Sequence, residues 1–237
     1  MISIVLKAII DYIFPARCIS CYELNIAECG LCALCWSKLT FISKPYCQIC
    51  GSYLEISILE NVTCGKCLIN QPIYTSARSI MKFDEYSKIL IHAFKYYDKT
   101  NLAKIFAKLI CHRYENYISN VDLIIPVPMH KLKRLLRMYN HAYLLALAIA
   151  KIVNKPVYYD ILIKTKWTKS QASLSKAQRA KNLTGSFKIN SGKLLQNKKI
   201  LLVDDVKTTG TTISKCAKLL KNYGAKDVYV ITIASTK

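Results

Sequence analysis

The chain has 237 residues, of which 52% are hydrophobic and 21% charged, so it can bury the core of one or two domains and is not wholly disordered. Its formal net charge of +21 favours an anionic partner, such as a nucleic acid or a membrane surface. Only six of the 35 basic residues are Arg, however, and Lys reads bases less specifically, so a solvated basic surface explains the charge as well.

The start of the chain predicts an amphipathic helix, which packs on the following domain or, as the weaker alternative, lies on a lipid surface. Apolar side chains recur at helical spacing over residues 2–13, interrupted by Lys7 and Asp11. These charges and the lack of a small-residue cleavage pattern argue against a secretory signal. The most apolar window, residues 142–150, is too short to cross a bilayer. We therefore expect a cytoplasmic protein without a membrane span.

Most of the eleven cysteines lie between residues 18 and 67, and eight of them form four Cys-x-x-Cys pairs. Such a turn presents two thiolates to one tetrahedral ion, and two turns complete a four-cysteine zinc site. A cytoplasmic location argues against disulfides, and iron–sulfur ligands usually stand closer together. The pattern therefore predicts two structural Zn²⁺ sites, which would supply much of the folding energy of this region. The predicted ligands are Cys18, Cys21, Cys32, Cys35, Cys47, Cys50, Cys64 and Cys67.

The spacing leaves two points about the zinc ligands open. Cys29 stands three residues before Cys32, so this pair could replace Cys32 and Cys35, although the latter pair fits the spacing of the other turns better. The four turns could pair sequentially, as we expect, or interleave. Gly51 and Gly65 each follow a cysteine and predict a sharply turned backbone there.

After about residue 75 the composition changes, and apolar strands alternate with helices. This alternation predicts an α/β domain with a largely parallel sheet flanked by helices. Cys111 and Cys216 fall in apolar helices and are predicted to be core residues. We therefore expect a small cysteine-rich zinc-ribbon domain at 1–75 and an α/β domain at 76–237. The predicted strands are 77–83, 121–128, 157–163, 199–203 and 227–233, and the predicted helices are 85–97, 101–117, 139–153 and 211–223, with a polar, basic stretch at 165–190.

Residues 200–212 carry the clearest functional pattern. An apolar strand is followed by two acids and then by a Thr/Gly turn that opens into a helix. The carboxyl end of a parallel strand is where α/β folds bind ligands, and a helix N-terminus after a glycine binds phosphate. An ordinary N-cap would account for one acid, but not for two of the three acids after residue 160. The pattern favours a sugar-phosphate site, in which two carboxylates accept hydrogen bonds from vicinal hydroxyls. Its residues are Asp204, Asp205, Thr208, Thr209, Gly210, Thr211 and Thr212.

This segment carries a family resemblance. Four apolar residues, two acids, a two-residue spacer and Thr-Thr-Gly-x-Thr resemble the phosphoribosyl pyrophosphate (PRPP) signature of type I phosphoribosyltransferases. With four Cys-x-x-Cys pairs ahead of it, the chain resembles the ComF family of competence proteins, in which a double zinc ribbon is fused to a phosphoribosyltransferase domain. Further family-like residues are Pro126, Val127, Pro128, Arg134, Arg137, Asn140, Gln171, Leu174, Arg179, Asn182 and Phe187.

The resemblance implies a site for PRPP with Mg²⁺. Asp204 and Asp205 would hold the ribose hydroxyls, and residues 208–212 would bind the 5′-phosphate. Lys207, inside the motif, is either solvated or close to the phosphates. Catalysis would be electrostatic, since the bond to pyrophosphate loosens first and Mg²⁺ and basic groups neutralise the departing pyrophosphate.

The rest of the site would come from two other segments. The loop after residues 126–128 would face the pyrophosphate, with Lys95 as a weaker basic candidate. Residues 165–187 would form a hood over the site, from which Gln171 would contact the ligand and Arg179 would take part in catalysis.

One stretch departs from the family pattern. Where the family tends to read Arg-Gly-x-Asn-Gln, residues 137–141 read Arg-Met-Tyr-Asn-His. Asn140 is expected to keep its role, and no role is assigned to His141.

The resemblance is compatible with three functions. The first is a phosphoribosyltransferase with an unknown acceptor, linked to DNA uptake and natural transformation. The second is a non-catalytic competence factor that binds single-stranded DNA or DNA-uptake proteins. The third is a nucleobase salvage enzyme, a class that does not usually carry zinc ribbons. PRPP or another phosphorylated ribose is the expected small-molecule partner.

Overall fold

A computed structural model of the chain describes residues 17–24, 30–55, 62–96, 100–132, 135, 138–166 and 185–236. The strands are β1 (Ser76–Lys82), β2 (Leu123–Pro126), β3 (Leu162–Lys164), β4 (Phe187–Ile189), β5 (Lys199–Lys207) and β6 (Asp227–Ser235). The helices are α1 (Ala33–Ser37), α2 (Gly65–Ile69), α3 (Glu85–Tyr96), α4 (Leu102–Arg113), α5 (Glu115–Ser119), α6 (His141–Val153) and α7 (Thr211–Asn222). The predicted N-terminal helix, Cys29, Arg134, Arg137, Gln171, Leu174, Arg179 and Asn182 lie outside the described residues.

Four strands form a parallel sheet in the order β1-β6-β5-β2, which confirms the predicted α/β architecture. β5 and β6 are central and pair from Lys199 with Asp227 to Lys207 with Ser235. Their near-continuous apolar runs are typical of strands covered on both faces. β3 and β4 form a separate antiparallel ribbon.

Alternate residues of the central strands face two different hydrophobic cores, as the two-residue repeat of a strand requires. On one face, Leu201 and Ile231 pack with residues of α4 and α6. On the other, Leu202 and Val230 pack with residues of α7. Cys111 and Cys216, which belong to α4 and α7, are 6% and 0% exposed. The prediction that they are core residues is confirmed.

The cysteine-rich region covers the outer edge of β1. Lys82 N donates to Thr40 O at 2.8 Å and Ile42 N donates to Ile80 O at 2.9 Å, so residues 40–42 pair with β1 in the antiparallel sense. An open strand edge would leave such backbone groups unpaired. The zinc-ribbon region therefore supplies hydrogen-bond partners to the β1 edge of the sheet.

The single helix predicted at 101–117 is interrupted at Tyr114. The backbone of this residue has a φ of −124° and leaves the helical region between α4 and α5. Its buried side chain donates a hydrogen bond from the hydroxyl to Ser79 O at 2.8 Å. This contact with β1 anchors the break, and the apolar spacing alone does not indicate it.

The strand predicted at 157–163 is misplaced. Val157 makes only an isolated parallel bridge with Ile124 of β2, and the chain bends at residues 159–161 before β3 begins. β3 pairs with β4, which lies inside the stretch 165–190 where no strand was expected. None of the helices in the described part of the chain has the length and apolar character needed to cross a bilayer.

Candidate functional site

The eight predicted zinc ligands form two clusters, paired in sequential order. Within each cluster the four Sγ atoms lie within 4.8 Å of one another. Cys21 Sγ and Cys32 Sγ are 3.7 Å apart, as are Cys50 Sγ and Cys64 Sγ. Tetrahedral thiolates with Zn–S bonds of about 2.3 Å stand about 3.8 Å apart, so both clusters fit zinc. The first cluster is Cys18, Cys21, Cys32 and Cys35, and the second is Cys47, Cys50, Cys64 and Cys67. The interleaved arrangement is therefore wrong.

Backbone N–H groups prepare one cysteine of each cluster for metal binding. Cys47 Sγ accepts hydrogen bonds from Cys64 N at 3.3 Å and from Cys50 N at 3.5 Å. Burial raises the pKa of the Cys47 thiol, but these donors outweigh burial and lower the pKa to about 6. The same balance lowers the pKa of Cys18 to about 6. Since zinc binds the thiolate, both cysteines are ready ligands at neutral pH.

The backbone turns sharply at only one of the two glycines singled out beside the cysteine pairs. Gly51 has a φ of +69°, and a Cβ on it would lie 2.3 Å from Ala77 O of β1. Gly65 begins α2 with an ordinary φ, and a Cβ on it would have nothing within 4 Å. The prediction of a turned backbone thus holds for Gly51 and is wrong for Gly65.

We expect Gly51→Ala to destabilise the folded chain by at least about 2 kcal/mol, because a non-glycine residue at positive φ is strained and its Cβ would push the second cluster away from β1. Thermal unfolding and zinc content per chain measure the effect. Gly65→Ala is the matched control and should keep the wild-type melting temperature and zinc content. Equal melting temperatures for the two variants would contradict the expectation.

Two side chains of the sheet hold the second cluster in place. Lys207, at the end of β5, donates from Nζ to Cys50 O at 2.5 Å. Arg78 of β1 donates from Nη1 to Gln48 O at 2.9 Å. Lys207 is only 6% exposed, so the predicted alternative of a solvated side chain is wrong, and its ammonium group contacts Cys50 O.

The two acids of the motif lie inside β5, which extends to residue 207 rather than ending at 203. Asp205 Oδ2 forms an ion pair with Lys95 Nζ at 2.8 Å, and Lys95 belongs to the last turn of α3. Pro126 pairs with Val203, so the loop after β2 begins beside the acids. The acids therefore lie where the carboxyl ends of β2 and β5 meet the C-terminal end of α3.

Asp204 has a raised pKa. Burial, and secondly the neighbouring charge of Asp205, raise the pKa of Asp204 to about 7, against the opposing effects of Lys95 and Lys164. Asp204 Oδ1 accepts a hydrogen bond from Asp205 N at 2.9 Å. Two carboxylates therefore lie here beside the ammonium group of Lys95, and Lys164 is near enough to act on Asp204 electrostatically, an arrangement more frequent at functional sites than elsewhere. Lys164 of β3 was not singled out from the sequence, because β3 itself was misplaced.

Residues 208–210 form a turn that leads directly into α7, whose first two residues are Thr211 and Thr212. Gly210 has a φ of +74° and occupies the N-cap position, where no side chain caps the helix. Thr209 Oγ1 and Thr211 Oγ1 lie 2.9 Å apart, close enough for a hydrogen bond. A helix N-terminus flanked by hydroxyl groups is a favourable site for a phosphate. The motif predicted from the sequence is therefore assembled as one strand–turn–helix unit beside the acids.

Asn140 and His141, from the stretch that differs from the family pattern, hold backbone groups next to the site. Asn140 Oδ1 accepts from Ala142 N at 3.1 Å and so caps α6, while Asn140 Nδ2 donates to Val127 O at 3.1 Å. His141, which is 1% exposed, hydrogen-bonds through Nε2 to Lys95 O at 3.0 Å. Since a carbonyl oxygen only accepts, Nε2 is the donor. His141 therefore fixes the backbone of the lysine that pairs with Asp205, a role the sequence did not indicate.

Two family models match the chain: a double zinc ribbon domain over residues 9–68 and a phosphoribosyl transferase domain over residues 92–237. Competence protein F of Haemophilus influenzae is 32% identical over 93% of this chain and 97% of the relative. DNA utilization protein YhgH of Escherichia coli K12 is 27% identical over 94% of this chain and 98% of the relative. A solved adenine phosphoribosyl transferase from Trypanosoma brucei, in complex with AMP, pyrophosphate and ribose-5-phosphate, is 21% identical over 59% of this chain and 54% of that chain, with a TM-score of 0.39.

Proposed function

Since this chain belongs to the ComF family, which joins a double zinc ribbon to a phosphoribosyltransferase domain, we propose that it binds PRPP with Mg²⁺ and transfers the phosphoribosyl group to an acceptor. One observation carries the proposal. Asp204 and Asp205 lie near the carboxyl end of β5, two residues before a Thr/Gly turn at the N-terminus of α7. Acids for vicinal hydroxyls and a cradle for a phosphate are thus one short segment apart, as a ribose 5-phosphate requires.

The residues of the site would act by holding and orienting the sugar. The carboxylates would accept hydrogen bonds from the ribose hydroxyls, and residues 208–212 would bind the 5′-phosphate. Lys95, fixed by Asp205 and by the carbonyl contact with His141, would supply positive charge at the same edge. The carboxylates of Asp204 and Asp205 suit Mg²⁺, which prefers oxygen ligands and would supply charge for the departing pyrophosphate. A fixed sugar lowers the entropic cost of the reaction, and no covalent nucleophile is required.

Equilibrium dialysis with radiolabelled PRPP, with and without Mg²⁺, tests the binding step. We expect saturable binding that depends on Mg²⁺. Pyrophosphate release in the presence of nucleobases, ammonia or single-stranded DNA then tests transfer and identifies the acceptor. If PRPP fails to bind under saturating Mg²⁺, the enzyme proposal is wrong.

The second candidate function is a competence factor that handles DNA without catalysis. It is favoured by the names of the relatives, competence protein F and DNA utilization protein, and by the net charge of +21. Salt-dependent binding of single-stranded DNA, together with PRPP binding but no pyrophosphate release with any acceptor, would favour this function over transfer.

The affinity for PRPP should fall as the pH drops below about 7. The pKa of Asp204 is raised to about 7, so below that pH its carboxyl takes up a proton and accepts hydrogen bonds less well, with a loss of up to about tenfold per pH unit. The groups that act on it are Asp205, Lys95 and Lys164. Lys95→Met removes a charge that favours the ionised form and should move the midpoint to higher pH. Binding measured from pH 5.5 to 8.5 checks this, and Asp204→Asn is the control, which should lose the midpoint near pH 7 and keep only the pH dependence of PRPP and of the other groups of the site.

A further inference from the structure

Lys207 connects the second zinc cluster with the segment that follows β5. It is buried at 6% exposure and donates from Nζ to Cys50 O at 2.5 Å. Attraction to the four cysteines of the second cluster, in their thiolate form, opposes the cost of burying its charge. A buried ammonium group is costly unless it is paired or hydrogen-bonded. The second cluster is therefore the environment that permits a lysine at this position.

The charge of a filled zinc site complements this lysine. Four thiolates around one Zn²⁺ carry about two negative charges in total, and Lys207 contributes one positive charge beside them. The hydrogen bond to Cys50 O also requires that the backbone of the Cys-x-x-Cys turn at residues 47–50, here called the zinc knuckle, stay in place. This backbone is fixed when Cys47 and Cys50 hold the same ion, so the metal determines where the lysine finds its partner.

Lys207 is followed by residues 208–212, the proposed phosphate-binding loop. The backbone at the start of this loop is held by hydrogen bonds from Thr236. The backbone oxygen of Lys207 accepts a hydrogen bond from Thr236 N at 3.1 Å. Thr208 O accepts a second hydrogen bond from Thr236 Oγ1 at 3.2 Å. The segment after β6 thus holds the backbone of residues 207 and 208, and the zinc knuckle holds the side chain of Lys207. A shift of the knuckle would move the beginning of the loop.

We propose that Lys207 is a positioning residue that couples the second zinc site to residues 208–212, so that zinc holds the loop in the conformation that binds the sugar phosphate. The effect on PRPP rests on the proposed function, whereas the coupling of zinc to the loop does not. By linkage, a ligand in the loop must in turn strengthen zinc binding by the same factor.

The test compares Lys207→Met with Lys207→Arg, which keeps the charge and the donor, and with Lys199→Met at the opposite end of the same strand. In Lys207→Met we expect zinc of the second cluster to pass to a competing chelator at roughly 10-fold lower chelator concentration, as for other residues that support metal ligands. PRPP binding should weaken by a comparable factor. In Lys207→Arg, the zinc affinity of the second cluster and the affinity for PRPP should both return most of the way to the wild-type values. Lys199→Met should behave as the wild type.

A further readout is amide hydrogen exchange of residues 207–213 in zinc-loaded protein. We expect faster exchange in Lys207→Met, with unchanged exchange in β6 and unchanged zinc binding by the first cluster. In the wild type, saturating PRPP should protect one of the two zinc ions from the chelator, and Lys207→Met should abolish this protection.

The proposal is overturned if Lys207→Met retains wild-type zinc affinity and wild-type exchange in residues 207–213. It is also overturned if exchange rises equally in β6, because the lysine would then only stabilise the whole fold. Should the wild type bind no PRPP, the proposed function fails, and zinc affinity and hydrogen exchange still decide the coupling.

Discussion

Replacing Asp204 and Asp205 together by Asn is expected to weaken PRPP binding by about 100-fold or more. A hydrogen bond to a charged group contributes about 1.5–3 kcal/mol, and the loss of two such acceptors corresponds to at least this factor in Kd. Pyrophosphate release should fall below detection at PRPP concentrations that saturate the wild type. Equilibrium dialysis and a coupled pyrophosphate assay measure the two effects.

The same double variant should fold at least as stably as the wild type. The pKa of Asp204 is raised from 3.8 to about 7, first by burial and then by Asp205. A carboxyl group whose pKa is higher in the folded chain than in the unfolded chain costs stability as the pH rises between these two values. Asn at this position has no such cost, so the melting temperature at pH 8 should rise. A more stable protein that has lost its ligand would show that the acids are kept for binding.

Two controls separate the hydroxyl contacts from a general loss of the site. Asp160→Asn removes an exposed acid and should leave PRPP binding unchanged. In the absence of Mg²⁺, inorganic pyrophosphate, which has no ribose, should bind the double variant as well as the wild type or better, because two negative charges have been removed. If the double variant binds PRPP with wild-type affinity, the assignment of these acids to the ribose is wrong.

The sequence predicts those parts of this molecule whose geometry is set by residues close together in the chain. A Cys-x-x-Cys turn sets the distance between its two thiols, and a strand followed by acids, a glycine turn and a helix builds its own cradle. The alternation of apolar strands and helices likewise determines a parallel sheet. Even the boundaries of α3, α6 and α7 are predicted to within two residues.

The contacts that tie these units together depend on residues far apart in the chain. Lys207 meets Cys50 across 157 residues, and His141 meets the backbone of Lys95 across 46 residues. Nothing in the local pattern around any of these residues indicates its partner. The misplacement of β3 has the same cause, because its register is set by β4, and β4 is too short to produce a periodic signal.

Removal of both zinc ions is expected to unfold the cysteine-rich region and expose the edge of β1. Structural zinc sites contribute about 10–16 kcal/mol in zinc-finger peptides, which is as large as the total stability of a typical domain. Protein purified without chelators should contain two zinc ions per chain by elemental analysis. Chelation should then lower the melting temperature strongly and speed amide exchange in β1, whose backbone pairs with Thr40 and Ile42.

The cysteines outside the two clusters provide the matched control. Cys47→Ser should lose one zinc ion per chain, whereas Cys111→Ala, also at a buried cysteine, should keep both ions and lose only packing. A reducing agent should change neither protein, since the closest thiols described between turns of one cluster stand 3.7 Å apart, well beyond the length of a disulfide bond. A zinc content well below two ions per chain, or an unchanged melting temperature after chelation, would contradict the assignment. Because residues 40–42 complete the edge of the sheet, loss of the metals should also reach the α/β domain, which would then unfold at a lower temperature rather than persist alone.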